Sequence, residues 1–345
     1  MIPHSRPSIT EDDVARVASV VRSAQIAQGP EVAALERELA ARLGVEAAAV
    51  VSSGTTALEL ALRALGVGAG HEVLIPSYVC DALHHAVTRC AAQPVLVDAD
   101  AETLSLSAKD AEARLTRRTR AVIVPHAFGL LVDLAPFLAL DVPVIEDCAQ
   151  ALGGARGGRP AGAAGTLGVC SFFATKMIAA GEGGAVVGPA RLVARVREAR
   201  EYDEREPFGP RMNAKLTDMQ AALARSQLAR LDTFVARRRA IAARYHARLG
   251  GADCGLPSDP ERAHVYHRFV IGLERDPVTV QTALAARGIA ARRPVFRPLH
   301  RALGLHGYPA AERLWDSRLS IPCYPALGDT EVDEVAQAVR EALGR

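Results

Sequence analysis

The chain has 345 residues, 49% hydrophobic and 23% charged, with a formal net charge of +2. That length suits one large domain with a smaller companion and a sizeable core. Dispersed basic residues speak against nucleic acid as a partner. The chain has no apolar run of membrane-spanning length and no secretory signature in residues 1–6, which predicts a cytoplasmic protein without membrane attachment.

Six cysteines (Cys80, Cys90, Cys148, Cys170, Cys254, Cys323) are scattered without CxxC spacing. They read as buried small hydrophobes or free thiols, so no metal site is expected. Of 41 basic residues only Lys109, Lys176 and Lys215 are lysine, which leaves three candidates for chemistry needing a deprotonatable amine.

Short apolar runs at 48–52, 72–77, 94–98, 121–125, 143–147, 169–173 and 184–187 predict seven strands. Several are apolar throughout, as strands buried on both faces are. Helices are predicted at 55–65, 110–115 and 192–200, an alternation that argues for an α/β domain with a mainly parallel sheet. Residues 218–249 read as one long amphipathic helix. A strand at 265–272, a helix at 278–287 and a final helix at 329–343 then suggest a small α+β domain. The division expected is 1–240 for the large domain, with its N-terminal arm, and 241–345 for the small one.

Three segments carry chemistry. In Ser52-Ser53-Gly54-Thr55-Thr56 a strand ends in small hydroxylated residues that open a helix. Free N–H groups at a helix start suit a phosphate, and an ordinary N-cap reads equally well. In Val144-Ile145-Glu146-Asp147-Cys148-Ala149-Gln150 an apolar strand delivers an acid at its C-terminal end, where sites of open α/β sheets lie. Asp147 there suits either a turn cap or the partner of a protonated ring nitrogen, with Gln150 donating to an oxygen of the same ring. The third segment decides between these readings. Ser171-Phe172-Phe173-Ala174-Thr175-Lys176 sets a rare lysine just past a buried strand and ahead of Gly181-Glu182-Gly183-Gly184. A lysine desolvated there, near other positive charge, favours the neutral amine that forms a Schiff base.

Taken in order, these segments resemble the DegT/DnrJ/EryC1/StrS family, sugar aminotransferases of fold type I that use pyridoxal 5'-phosphate. The likeness also takes in Gly29, Glu36, the Pro125-His126-Ala127-Phe128-Gly129 run, Asn213-Ala214-Lys215-Leu216-Thr217-Asp218, Gly288-Ile289 and Pro298-Leu299-His300. It implies a seven-stranded, mainly parallel sheet flanked by helices, with a smaller C-terminal α+β domain. Lys176 would hold the cofactor as an imine, Asp147 would face its pyridine nitrogen and Gln150 its phenolic oxygen. Gly54, Thr55 and Ser171 would cup the phosphate, joined by Asn213 from a neighbouring subunit, which implies a homodimer. Where relatives place a ring-stacking aromatic after Pro-Ser, this chain has Pro76-Ser77-Tyr78-Val79-Cys80, so Cys80 takes the stacking place by register. The implied reaction moves an amino group from an amino acid, L-glutamate by resemblance, to a nucleotide-linked keto-sugar, for a surface polysaccharide or a secondary metabolite.

Alternatives are a keto-cyclitol acceptor, a sugar dehydratase on the same fold, in which histidine replaces the lysine, a nicotinamide oxidoreductase and a non-catalytic homologue. The oxidoreductase requires a G-x-G-x-x-G turn that Ser53-Gly54-Thr55-Thr56 does not supply. Arg292, Arg293 and Arg297 are candidates for a diphosphate, set against the solvated face of a locally basic stretch. His126 reads as structural, Cys323 as an unreactive strand residue, and His84, His85 and His300 receive no role.

Overall fold

The computed structural model describes every residue except Glu204, Pro260 and Arg345, the last residue of the expected small domain. All seven expected strands form. They are β1 (Ala47–Val51), β2 (Glu72–Pro76), β3 (Gln93–Val97), β4 (Thr119–Pro125), β5 (Val144–Asp147), β8 (Leu167–Ser171) and β9 (Gly184–Gly188). A two-residue hairpin, β6 (Ala155–Arg156) and β7 (Arg159–Pro160), sits between β5 and β8. The sheet order is β1-β9-β8-β5-β4-β2-β3. Pairs β2/β3, β2/β4, β4/β5 and β5/β8 are parallel, and only β9 runs against its neighbours β1 and β8.

The continuous apolar runs are explained by cover on both faces. Ala49, Val51, Ile75, Ile123 and Ile145 pack with the helices Gly54–Ala64 and Ala190–Ala199, whereas Ala48, Val50, Cys170 and Val187 pack with Pro30–Leu43 and Asp218–Ala229. Parallel β5 and β8 direct their C-terminal ends, Asp147 and Ser171, to the same edge of the sheet. That shared edge is what brings three sequence-distant motifs together.

A second, three-stranded antiparallel sheet joins β10 (Cys254–Gly255), β11 (Phe269–Leu273) and β12 (Arg318–Ile321). Its own apolar cluster runs from Ile241 to Leu343 and includes Ile2, whose backbone bridges to Ile289. Among the described residues no helix is long and apolar enough to cross a membrane.

Three expectations are corrected. Residues 218–249 form two helices, Asp218–Ala229 and Leu231–Leu249, broken at Arg230. Arg230 N–H bonds the Gln227 carbonyl three residues back, and its side chain is drawn off the helix to Asp13 and to the Ser8 carbonyl. The strand expected from 265 begins only at Phe269, because Tyr266 takes a left-handed conformation (φ 51°) and Val265 N–H is claimed by the Gly129 carbonyl. Cys323 lies beyond the end of β12, buried, with its thiol 3.4 Å from the Tyr266 carbonyl.

The helix Pro30–Leu43 has no side-chain cap of its own; Asp218, buried at the start of another helix, supplies one. Its carboxylate accepts from Gly29 N–H (2.8 Å), Val32 N–H (3.0 Å) and Glu31 N–H (3.2 Å). Asp218→Ala leaves these donors without a partner, so it is expected to cost about 2–4 kcal/mol of stability. A drop in the urea midpoint at unchanged slope checks this, and an unchanged midpoint refutes it.

Candidate active site

Asp147, Lys176, Gly54, Thr55, Ser171, Gln150 and Cys80 all line one cavity of about 220 Å³ at the C-terminal edge of the sheet. Asn213 does not line it. That residue is exposed on the segment leading to Asp218, and the segment is tied to the end of β1 by a bond from Ser52 N–H to the Ala214 carbonyl (2.9 Å).

The phosphate end is built by close approach. Ser53 caps the helix Gly54–Ala64, its hydroxyl accepting from Thr56 N–H at 3.1 Å. A Cβ on Gly54 would stand 2.8 Å from Ser171 Cβ and 3.0 Å from its hydroxyl, so only glycine lets the helix start face that serine. A helix N-terminus, a serine hydroxyl and a bare glycine together form a cradle that fits a phosphate.

Asp147 and Gln150 line the same cavity. Asp147 Oδ1 accepts from Ala149 N–H at 3.0 Å, which leaves its other oxygen for a ring N–H. Burial pushes this carboxyl above its ordinary value, against the opposing Ala149 N–H and the nearby Lys176. Gln150 Oε1 accepts from Phe128 N–H at 2.7 Å, which commits the oxygen and leaves the amide nitrogen as the donor of this cavity-lining residue.

Lys176 follows a tight turn closed by its own N–H on the Phe173 carbonyl (2.8 Å). Burial lowers its pKa; Cys80 and Asp147 oppose the shift, and Arg268 adds to it. Arg268 is the nearby positive charge that the sequence reading required without naming it. His267 was missed as well: its Nε2–H donates to the Thr175 carbonyl (3.1 Å), tying β11's approach to the lysine turn. Residues 265–268 fall inside the strand expected at 265–272, and no local signal marks them as loop.

His126 ends its strand fully occupied. Nδ1 accepts from Val132 N–H (3.1 Å), and Nε2–H donates to Glu146 (2.8 Å), which also accepts from Ala164 and Gly165 N–H. His300 bridges Ser77 (2.5 Å) and Glu312 (2.7 Å), stacked on Tyr308. Both histidines are scaffolding, whereas His84 and His85 line neither this cavity nor the larger one beside it. That second cavity, about 830 Å³, also touches Lys176, Gln150 and Cys80 and is lined by Arg268, Arg292, Arg293, Arg297 and Arg301.

Two outcomes follow from this geometry. Gly54→Ala is expected to weaken pyridoxal phosphate binding at least about tenfold by displacing Ser171; an unchanged dissociation constant in absorbance titration refutes the cradle. Because the lysine amine reacts only when neutral and its pKa is lowered, the rate of cofactor capture should rise with pH and level off below 10.5, the value of an ordinary lysine. Stopped-flow absorbance that keeps climbing through 10.5 would contradict the assigned burial.

Comparison with known proteins agrees with the geometry. The model of the DegT/DnrJ/EryC1/StrS aminotransferase family matches residues 7–340. A UDP-N-acetyl-3-dehydro-alpha-D-glucosamine 3-aminotransferase of Acidithiobacillus ferrooxidans is 35% identical, over 95% of this chain and 92% of that one. Among solved structures, S. venezuelae DesV, in complex with a ketimine intermediate, superposes with a TM-score of 0.91 at 35% identity, covering 97% of this chain and 95% of that one. Spr1654 of Streptococcus pneumoniae in its PMP form gives a TM-score of 0.94 at 25% identity over 99% of both chains, and it is also solved in a PLP form. With the lysine, the acid and the phosphate cradle gathered on one sheet edge, the chain belongs to the DegT/DnrJ/EryC1/StrS family and is a pyridoxal-phosphate aminotransferase of fold type I.

Proposed function

We propose that the enzyme transfers an amino group from an amino acid, L-glutamate in the first instance, to a nucleotide-linked keto-sugar. One observation carries the reading: Lys176 lines the same cavity as Asp147 and also lines a larger one rich in arginine. The acceptor class is supported by the relative's name and by the match of those cations to a diphosphate.

When bound, pyridoxal phosphate supplies an electron-poor ring that takes up the electron pair left as a Cα–H bond breaks. The chain's residues do the rest. Asp147 keeps a proton on the ring nitrogen, which its buried carboxylate holds by charge. Gln150 orients the ring through its remaining donor, and Gly54, Thr55 and Ser171 hold the phosphate. Lys176 Nζ would take the α-proton from Cα and pass it to the carbon on the far side of the shared nitrogen, its pKa lowered so that the neutral base is available. On the acceptor the same amine runs these transfers in reverse.

Cys80 occupies the place beside the ring, where sulfur offers a polarizable surface instead of an aromatic face. The exposure of Asn213 supports its service to a second subunit's phosphate site, and hence a homodimer. The apolar cluster that begins at Ile241 supports a domain border at 240/241. Six free cysteines suit a reducing, cytoplasmic setting.

The test is to load the protein with pyridoxamine phosphate and present a panel of keto-sugar nucleotides, including the UDP-linked 3-keto N-acetylglucosamine and, as a rival, keto-cyclitols. Return of pyridoxal absorbance with a nucleotide sugar is expected; return with a cyclitol alone overturns the acceptor class. Lys176→Ala should lower turnover by about 10³-fold or more in a folded protein, and substantial turnover by this variant refutes the lysine's role.

A further inference from the structure

Tyr78 is 2% exposed, lines the large cavity, and carries a hydroxyl with no hydrogen-bond partner. Buried hydroxyls are as a rule paired, because an unmet one destabilises the fold. Three cations stand near this phenol without binding it. Arg293 is taken up by the Trp315 carbonyl and by Asp276 (3.5 Å), Arg268 donates to the Pro294 carbonyl (2.9 Å), and Arg318 donates to Ser317 Oγ (2.9 Å). Burial pushes the phenol's pKa up, against those three charges, so it keeps its proton and offers it as a donor.

The chain on either side fixes this side chain beside the cofactor pocket. Its ring packs edge-on against Phe128 at 6.3 Å, and Phe128 N–H is bonded to Gln150. Ser77, before it, is held by His300; Val79 and Cys80, after it, line both the large cavity and the one around Asp147. Tyr78 is thus joined to the residues that the two cavities share, Lys176 and Gln150 among them. Phe296 and Arg297, of the same large cavity, are exposed.

The lining of the cavity narrows what the hydroxyl can meet. Val79, Ala127, Phe128, Pro294 and Val295 give it an apolar wall, and no acid lines it. An anion would go to the arginines, which offer charged donors. A hydroxyl substituent would accept from the phenol but turn its own hydrogen toward apolar side chains. An acyl group suits both features. Its oxygen is a neutral acceptor with no hydrogen to place, and its methyl loses water against the apolar wall.

Resting on the nucleotide-sugar reading above, we propose that Tyr78 selects an acylamino substituent on the acceptor sugar, donating its hydroxyl hydrogen to the acyl oxygen. The substituent sits on the carbon next to the keto carbon, because Tyr78 adjoins the wall that carries the reacting amine.

The experiment gives the pyridoxamine-phosphate-loaded enzyme UDP-3-keto-N-acetylglucosamine or UDP-3-keto-glucose, which differ in that substituent alone. The wild type should prefer the acetamido sugar, and Tyr78→Phe should cut the ratio of the two kcat/KM values about tenfold, chiefly through KM. Calorimetry on the pyridoxal-phosphate-loaded enzyme, with UDP-N-acetylglucosamine and UDP-glucose as unreactive probes, should show the same loss of discrimination. The urea midpoint of the unliganded variant should hold or rise, since the hydroxyl removed has no partner in the fold. Equal use of both sugars by the wild type, an undiminished ratio in Tyr78→Phe, or a fall in its urea midpoint overturns the proposal. If no nucleotide keto-sugar restores the pyridoxal absorbance of the wild type, the acceptor reading fails and this one with it. A wild type that turns over both sugars without preference sinks only the acyl contact.

Discussion

The site depends on keeping an amine and a carboxylate out of water, close enough to feel each other and free enough to grip a third group. Burial raises the Asp147 carboxyl and lowers the Lys176 amine, so each is driven toward its neutral form, while their mutual attraction acts in the opposite sense. A fully paired salt bridge would be inert, and two separated charges in an apolar pocket would be ruinous. Under the proposed function, a cofactor that offers a ring nitrogen to the acid and a carbonyl carbon to the amine resolves the conflict. The affinity of the pocket for that cofactor and the reactivity of the lysine thus have one physical origin.

The rest of the molecule holds that pair in register. Parallel β5 and β8 end at one edge and carry Asp147 and Ser171, and antiparallel β9 brings the glycine-rich turn back against β1 and the helix start at Gly54. A second clamp crosses from the other side. Gly129 (φ +100°) allows the loop after β4 to meet segment 264–268, since a Cβ there would lie 2.7 Å from His267 N. Through that crossing the loop orders Gln150 by way of Phe128, Arg268 by way of the Phe128 carbonyl, and the lysine turn by way of His267. Loop residues that look unremarkable in sequence therefore connect the smaller cavity around Asp147 to the larger, arginine-lined one.

Buried scaffolding carries a similar division of labour. Glu36, on the helix Pro30–Leu43, accepts from Val50 N–H at 3.0 Å and pairs with Arg197 and Arg200. It thereby fastens β1, which leads into the helix start at Gly54, to the helices on both sides. His126–Glu146 and Ser77–His300–Glu312 are closed hydrogen-bonded sets that end strands without exposing a reactive group. Polar residues at strand ends divide here into those whose partners are all present and those, such as Asp147 and Tyr78, that are left with capacity to spare.

The sequence by itself determined the seven buried strands, the lysine turn, the acid at the end of β5 and the helix start at Gly54. Each is a local pattern whose period, or run of small residues, dictates its backbone. It did not reveal the break at Arg230, the late start of β11, or the roles of His267 and Arg268. Those follow from contacts between residues far apart in the chain: Arg230 with Asp13, Val265 with Gly129, His267 with Thr175. Only the tertiary structure decided which cations lack a counter-charge, because in a chain this rich in arginine the pairing of charges is a property of the packed surfaces and not of spacing along the sequence.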